Sequence, residues 1–238
     1  MYVMQELFKA PAHIKLQRKV KVMKSYRTSD IESYVRELAS EEPVPGGGAT
    51  SALAGALAVA LCKMVGHFTV GKKKYADNEK DVLRIMEEAE KLQDELLTLV
   101  DKDPEAFEPL AKAYSMPKNT PEEIAERERV MEECLHEAAQ VPIDVMDCCA
   151  QALDLIEEML NKGSEMLISD TGSAATICKA ALEAAALNVV ANTMYMKDKD
   201  YARGLNTDVA RFLADYQEKA DKIFDKTYGI LLRKGLGR

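Results

Sequence analysis

Hydrophobic positions recur at helical spacing through most of the chain, and no stretch shows the two-residue alternation typical of a β-strand. The segment from about residue 77 to residue 100 shows the helical pattern clearly, with apolar positions at Val82, Ile85, Met86, Ala89, Leu92, Leu96 and Leu99. A shorter segment begins at Ser29, where Ser29 and Glu32 match a capping box. A last amphipathic segment runs from about residue 207 to residue 232. The pattern predicts an all-α protein made of long helices.

Two further helical segments are apolar or small on every side. The first runs from about Ala49 to Val70, with Gly71 as its expected C-cap, and the second follows Ser169 and runs to about Met196. Helices with small side chains can approach their neighbours closely, so we expect the first to be the central helix. Two such helices are more than one small bundle needs, which predicts a homodimer. The expected fold is an up-and-down bundle of long antiparallel helices that dimerises.

Two aspartates stand where one helix is predicted to end and the next to begin. Asp101 and Asp103 follow Val100 and precede Pro104. The helix dipole disfavours acids at a helix C-terminus, so each aspartate needs an explanation. Asp103 is a suitable N-cap for a following helix over residues 105–114. Capping leaves Asp101 without a structural role in the local pattern.

A second capping box, Thr120 with Glu123, opens the next predicted helix. We expect this helix to continue towards Gln140, to bend or break near Pro142 because proline lacks a backbone N–H, and to resume as far as Asn161. The five cysteines of the chain are odd in number and form no Cys-x-x-Cys pair. They therefore predict reduced thiols and no metal site.

A glycine triplet, Gly46, Gly47 and Gly48, follows two prolines and precedes the predicted central helix. Glycines let the backbone approach a ligand or another helix, and the free N–H groups of a helix start favour an anion or a polar ring. The alternative is a turn that only connects two helices. The spacing matches neither the dinucleotide-binding pattern nor the P-loop, so nucleotide binding is not indicated.

Other polar positions have both a structural and a functional interpretation. Lys72 and Lys73 follow the central helix, where they either form a solvated surface or meet the carboxylates of an acidic substrate. Asp170 is explained as the N-cap of the second small-residue helix. Asn188 and Asn192 share one face of that helix, so their amides need partners from another helix or from a ligand.

The 238-residue chain has a formal net charge of −8 that is unevenly distributed. Residues 1–28 hold seven Lys or Arg against one acid, which predicts a flexible basic extension before a single helical domain at residues 29–238. The net negative charge argues against nucleic-acid binding. The longest strictly apolar run, Ala52 to Cys62, is about half of the roughly 20 residues that span a bilayer. We therefore expect a cytoplasmic protein with no membrane partner.

Six separated stretches, in this order and spacing, share the motifs of one known family. They are Pro45-Gly46-Gly47-Gly48, Lys63-Met64-Val65-Gly66, Thr69-Val70-Gly71-Lys72-Lys73, Leu99-Val100-Asp101-Lys102-Asp103 with Ala106-Phe107, Pro117 to Glu123, and Ser169-Asp170. Over roughly residues 31–232 the chain resembles the cyclodeaminase/cyclohydrolase proteins of folate one-carbon metabolism. The resemblance implies an all-helical dimer that binds a tetrahydrofolate as substrate and needs no metal or organic cofactor.

The resemblance also assigns roles to individual residues of this sequence. The family's acid in the Val-Asp-x-Asp stretch falls on Asp101, with Asp103 beside it, and the Ser-Asp motif falls on Asp170. These three are the expected catalytic residues. The family's basic pair falls on Lys72 and Lys73. Together with the glycine triplet and the two asparagines, this pair forms the expected substrate-binding set.

Both reactions of the family pass through a tetrahedral carbon between folate N5 and N10. Each needs proton transfers and tolerance of a cationic amidinium, and a carboxylate with a pKa raised by partial burial can supply both. The expected function is hydrolysis of 5,10-methenyltetrahydrofolate to 10-formyltetrahydrofolate. One alternative is a formimidoyltetrahydrofolate cyclodeaminase that releases ammonia, and a further alternative is a non-catalytic folate-binding or scaffold protein.

Overall fold

The structure is a computed structural model that describes residues 24–235, so the first 23 residues of the predicted basic extension lie outside the described part. Over the described residues there is no β-strand, and the α-helices are α1 (Ile31–Leu38), α2 (Gly47–His67), α3 (Glu79–Tyr114), α4 (Pro121–Lys162), α5 (Ile168–Thr193) and α6 (Lys199–Gly235). Short 3-10 helices lie before α3 and before α5, at Lys73–Asn78 and Glu165–Leu167. The prediction of an all-α fold is confirmed.

Helix α2 lies at the centre of the bundle and packs against α3, α4 and α5. A Cβ built at Gly55 would lie 3.1 Å from the Leu96 side chain and 3.2 Å from Cys149 Sγ, so the small residues of α2 do permit close approach. Helices α2 and α5 are antiparallel, because Gly47 lies beside Asn188 at one end and Thr69 Oγ1 accepts the Ser164 N–H at the other. The predicted central position of α2 is confirmed.

Helix α3 runs unbroken through Pro104 and Pro109, so the predicted break after Val100 is wrong. A proline in a helix removes one N–H and crowds the preceding turn, but burial of apolar side chains on both sides can hold the helix across it. Val100 and Leu110 are both almost fully buried. Asp103 is therefore not the N-cap of a new helix, and Asp101 is not at a helix C-terminus.

Helix α4 also runs unbroken, through Pro142, so a break there is wrong, while a bend stays a prediction. Pro142 is buried among the apolar residues that α4 packs into the core, and this packing holds the helix across the missing N–H. The capping box at Thr120 and Glu123 is confirmed, with Thr120 Oγ1 accepting the Glu123 N–H at 3.2 Å.

Several helix ends differ from the predicted ones by a few residues. Helix α1 is capped by Asp30, whose side chain accepts the Ser33 N–H, and not by Ser29. Helix α2 has Phe68 as its C-cap, and Gly71 adopts a positive φ of 75° in the turn that follows. Asp170 lies inside the first turn of α5, whose N-cap is Leu167, so the prediction that Asp170 is an N-cap is wrong.

All five cysteines are free and buried, as expected for reduced core thiols. By length and composition alone, α2 and the segment Glu165–Thr193 could each cross a membrane. Of their apolar windows, 56% and 44% respectively are buried inside the bundle, and core helices of water-soluble proteins pass the same test. The expectation of no membrane partner stays a prediction.

Candidate functional site

A cavity of about 180 Å³ opens where the N-terminus of α2 meets α3, α4 and the C-terminal part of α5. It is lined by Pro43, Val44, Gly46, Gly47, Gly48, Asp103, Phe107, Leu110, Tyr114, Ala138, Asn188, Ala191, Asn192 and Tyr195. This cavity therefore brings together residues that the sequence indicated separately, namely the glycine triplet, one of the two aspartates and both asparagines. We refer to this space as the Asp103 cavity.

Asp103 presents a half-buried carboxylate to this cavity. Its Oδ2 accepts the backbone N–H of Ala49 in the first turn of α2 at 3.0 Å. Burial raises the pKa of Asp103 above its ordinary value, and the Ala49 hydrogen bond opposes part of this rise. A carboxyl group of this kind can hold or release a proton closer to neutral pH than an exposed aspartate can.

Gly48 gives the Asp103 carboxylate its space. A Cβ built at position 48 would lie 1.9 Å from Asp103 Oδ1 and 2.6 Å from Asp103 Cγ. A side chain at position 48 therefore cannot coexist with the observed position of Asp103. Gly48 lies in helical backbone with a negative φ, a conformation that any residue can adopt. The glycine is therefore needed for the close approach of Asp103 and not for its backbone conformation.

Asn188 and Asn192 direct their amide donors to the protein backbone. Asn188 Nδ2 donates to the Ala184 carbonyl at 2.8 Å, and Asn192 Nδ2 donates to the carbonyls of Ala138 at 3.2 Å and Asn188 at 3.0 Å. The amide donors thus have partners within the bundle, as one of the two alternatives from the sequence required. Their side-chain oxygens remain as the hydrogen-bond acceptors that these residues offer to the cavity.

Two tyrosines complete the wall of the cavity, and the sequence did not reveal them. Tyr114 ends α3 and Tyr195 follows α5. Burial raises the pKa of the Tyr114 hydroxyl, with a smaller contribution from Tyr195. In the sequence both look like ordinary aromatic residues at helix ends, and only the tertiary fold brings them together.

Asp101 has a different surrounding from Asp103, because residues two apart on a helix face in nearly opposite directions. Its carboxylate accepts the Ser25 hydroxyl at 2.7 Å and the backbone N–H groups of Tyr26 and Arg27 at 2.6 Å and 3.1 Å. Asp101 thus fixes the turn that precedes α1 to α3. It lines a neighbouring cavity of about 290 Å³, which shares only a wall with the Asp103 cavity.

Lys72, Lys73 and Asp170 lie at the other end of the bundle. Helix α2 has 21 residues, so its two ends are separated by about 30 Å at 1.5 Å per residue. Lys72 and Lys73 follow its C-terminus, and Asp170 lies in the first turn of α5, the antiparallel neighbour. Within one chain, these three residues are therefore not brought together with the Asp103 cavity.

No group of three or more His, Cys, Asp or Glu side chains within residues 24–235 is arranged to hold a metal ion. The polar groups of the Asp103 cavity are one carboxylate, two amide oxygens and two phenols. This set suits proton transfer and hydrogen bonding to a polar ring. The expectation that no metal or cofactor is needed stays a prediction.

A family model described as formiminotransferase-cyclodeaminase matches residues 30–211, more than half of the chain. The chain belongs to this family. Within the formiminotransferase-cyclodeaminase family, it is 37% identical to a methenyltetrahydrofolate cyclohydrolase of Methylorubrum extorquens over 82% of this chain and 94% of that relative. It is 28% identical to the formimidoyltransferase-cyclodeaminase of Mus musculus over 81% of this chain, but spans only 36% of that longer protein.

A solved structure of the same family confirms the fold. The crystal structure of a formiminotetrahydrofolate cyclodeaminase from Thermotoga maritima superimposes with a TM-score of 0.72 at 30% sequence identity. The match covers 89% of this chain and 98% of that one. The resemblance stated from the sequence motifs is thereby confirmed for the family and for the helical fold.

Proposed function

We propose that this protein is a folate one-carbon enzyme that hydrolyses 5,10-methenyltetrahydrofolate to 10-formyltetrahydrofolate. The observation that carries the proposal is the Asp103 carboxylate, buried in a cavity with acceptor amides and tyrosines. The 37% identity to a relative named methenyltetrahydrofolate cyclohydrolase, over nearly its whole length, supports this reaction. The 30% identity to a cyclodeaminase of known structure keeps formimidoyltetrahydrofolate cyclodeamination as the second candidate.

In the proposed reaction the substrate carries a cationic amidinium between N5 and N10, and the Asp103 carboxylate stabilises this charge. Water attacks the bridging carbon while Asp103 accepts one of its protons, which gives a tetrahedral carbon bearing a hydroxyl group. The bond from this carbon to N5 then breaks as N5 receives the proton held by Asp103. The hydroxyl group releases its proton to solvent as its oxygen becomes the formyl carbonyl, and the formyl group stays on N10. A carboxyl group whose pKa is raised by burial suits both proton steps.

The polar ring of the substrate also needs hydrogen-bond partners. The side-chain oxygens of Asn188 and Asn192 are suited to accept from its N–H groups, because the amide nitrogens are already bound to the backbone. In the alternative reaction, N10 attacks the formimino carbon and gives up its proton to Asp103, and Asp103 passes this proton to the former imino nitrogen, which leaves as ammonia. The same residues therefore serve either reaction, and the assay must distinguish them.

The decisive assay follows methenyl absorbance and ammonia release with the same purified protein. We expect hydrolysis of the methenyl substrate, and Asp103→Asn should lower turnover by about 10²-fold or more, the usual scale for a general acid–base group. A protein that binds folate without turnover would support the non-catalytic alternative. An Asp103→Asn variant with normal turnover would move the proton-transfer role to Asp101. That role for Asp101 stays a prediction from the resemblance.

We also propose that the enzyme is a homodimer. The outer sides of α2 and α5 expose large apolar side chains, with Leu57 55% and Leu187 72% exposed, and Met194, the C-cap of α5, is 59% exposed. Single exposed leucines are common, but two neighbouring helices that are apolar all round favour a covered face. We expect a second copy of this chain to cover it in the cytoplasm, where the enzyme is expected to be located.

An antiparallel pairing of the two α2 helices would also give a role to the distant lysines. Leu57 lies at the midpoint of α2, so a two-fold axis beside it brings the C-terminal end of one α2 to the N-terminal end of the other. The partner subunit's Lys72 and the partner subunit's Lys73 would then approach the Asp103 cavity. This is the route by which the predicted basic pair could contribute to folate binding.

A further inference from the structure

Arg127 lies on the face of α4 that leads away from the Asp103 cavity. Positions 127, 131, 134 and 138 follow helical spacing and share one face of this helix. Ala138 lines the cavity, and Met131 and Cys134 pack in the same apolar cluster as Tyr114. Arg127 is 11 residues before Ala138, about 16 Å along the helix, so it lies on the same face of α4 as this part of the cavity wall.

The guanidinium of Arg127 has a donor that no residue within 24–235 uses. Its Nε is buried and has no hydrogen-bond partner among the residues that the structure describes. Arg129, two residues further on, forms ion pairs with Glu126 and Glu133. Leaving a buried charged donor without an acceptor costs free energy, so such a group calls for a partner beyond the described residues.

The charge of Arg127 reaches the wall of the cavity. It lowers the pKa of the Tyr114 hydroxyl, in opposition to the larger effect of burial. The cavity itself, at about 180 Å³, is smaller than the roughly 300–1,000 Å³ of pockets that enclose a whole drug-sized ligand. A substrate whose ring fills the cavity must therefore extend part of its length past the tyrosines.

We propose that Arg127 binds the glutamyl carboxylate of a tetrahydrofolate substrate whose ring occupies the Asp103 cavity. The inference rests on the proposed function, and it names the residue that recognises the anionic tail. The planar fork of an arginine matches a carboxylate in a two-point contact, which a lysine cannot reproduce. Arg127 would do this within one chain, whereas Lys72 and Lys73 lie at the opposite end of α2.

The test is equilibrium binding of two unreactive folate analogues that differ only in the glutamate, 5-formyltetrahydrofolate and 5-formyltetrahydropteroate. For Arg127→Met we expect the Kd of the glutamylated analogue to rise about tenfold to hundredfold, the scale of a lost charge-assisted contact. The Kd of the analogue without glutamate should stay unchanged. Arg129→Met, on the same helix, should change neither value.

Each other outcome of this experiment overturns the inference. A wild-type protein that binds both analogues equally has no glutamate recognition, and an equal loss of affinity for both in Arg127→Met indicates a structural role. If Arg127→Met does not fold, Arg127→Lys replaces it and should show a smaller loss confined to the glutamylated analogue. Because binding is measured without turnover, failure of the proposed reaction with intact glutamate discrimination is a separate result.

Discussion

Replacement of Gly48 by alanine tests the arrangement on which the proposed site depends. The added Cβ would lie 1.9 Å from Asp103 Oδ1 and 3.0 Å from Oδ2. Carbon and oxygen atoms that are not bonded rarely approach within about 3 Å, so the carboxylate or the first turn of α2 must move by roughly 1 Å. The first turn of α2 is held by close packing, since Ala49 and Ala52 are fully buried, and the carboxylate is held by its hydrogen bond to Ala49.

The displacement breaks or lengthens the hydrogen bond from the Ala49 N–H to Asp103 Oδ2, in which the N···O distance is 3.0 Å. Loss of a hydrogen bond to a buried charged group costs about 1.5–3 kcal/mol, more than the roughly 1 kcal/mol that alanine gains over glycine in a helix. A misplaced general acid–base group adds a loss of rate. We expect Gly48→Ala to lower the melting temperature and to reduce kcat by about tenfold to hundredfold.

The matched control is Gly204→Ala in α6, because a Cβ at Gly204 would meet no atom within 4 Å. This variant should keep wild-type kcat and an equal or slightly higher melting temperature. The measurements are steady-state kinetics with the methenyl substrate and thermal unfolding by circular dichroism. A Gly48→Ala protein with wild-type values in both would refute the argument that this glycine and Asp103 are fitted to one another.

Three further predictions concern the two aspartates and the dimer. Asp103→Asn should be as stable as the wild type at acidic pH, where both side chains are neutral. It should be more stable than the wild type at neutral pH, because the raised pKa of Asp103 means that its ionised form destabilises the fold. Urea unfolding at several pH values measures the free energy of unfolding of both proteins. Asp101→Asn should lose about 1–3 kcal/mol of stability through weaker hydrogen bonds to the turn before α1, while kcat stays within a few fold of normal. A large loss of kcat without loss of stability would instead assign the role of catalytic acid to Asp101. Leu57→Glu should convert a dimer to monomers in sedimentation velocity, whereas Leu83→Glu, at a 49% exposed leucine of α3, should not; equal behaviour of the two variants would argue against the proposed interface.

Much of the fold was predictable because apolar spacing and small-residue content report directly on helix packing. The central position of α2 is an example, since its alanines and Gly55 allow the close contacts that the structure shows. The continuity of α3 and α4 was not predictable in the same way. Local rules treat Pro104 and Pro142 as interruptions, whereas burial of the residues around them holds both helices intact.

The candidate site was predictable in its parts but not in its assembly. The glycine triplet, Asp103, Asn188 and Asn192 each carried a local signal, and the fold places them around one cavity. Asp101 lacked a structural role in the sequence because it was placed at a helix end that does not exist. Its three hydrogen-bond donors come from Ser25, Tyr26 and Arg27, more than 70 residues earlier in the chain. No pattern within the helix could show that contact.

The glycine triplet has a different role from the one its sequence suggested, and the difference bears on the charge of the ligand. A free helix N-terminus favours an anion, and from the sequence we expected this end of α2 to offer its N–H groups to a ligand. In the structure the Ala49 N–H is bound to Asp103, so the anion at this helix end belongs to the protein. What the side chains of the cavity present to a ligand is then a carboxylate, two amide oxygens and two phenols. The carboxylate and the amide oxygens favour a positive charge and N–H donors. A methenyl or formimino folate carries a cationic amidinium and a donor-rich ring, whereas a phosphate or nucleotide would meet the wrong charge.

The helix dipole stabilises the ionised form of Asp103, and burial opposes it, so the carboxyl group can lose and regain a proton within one reaction.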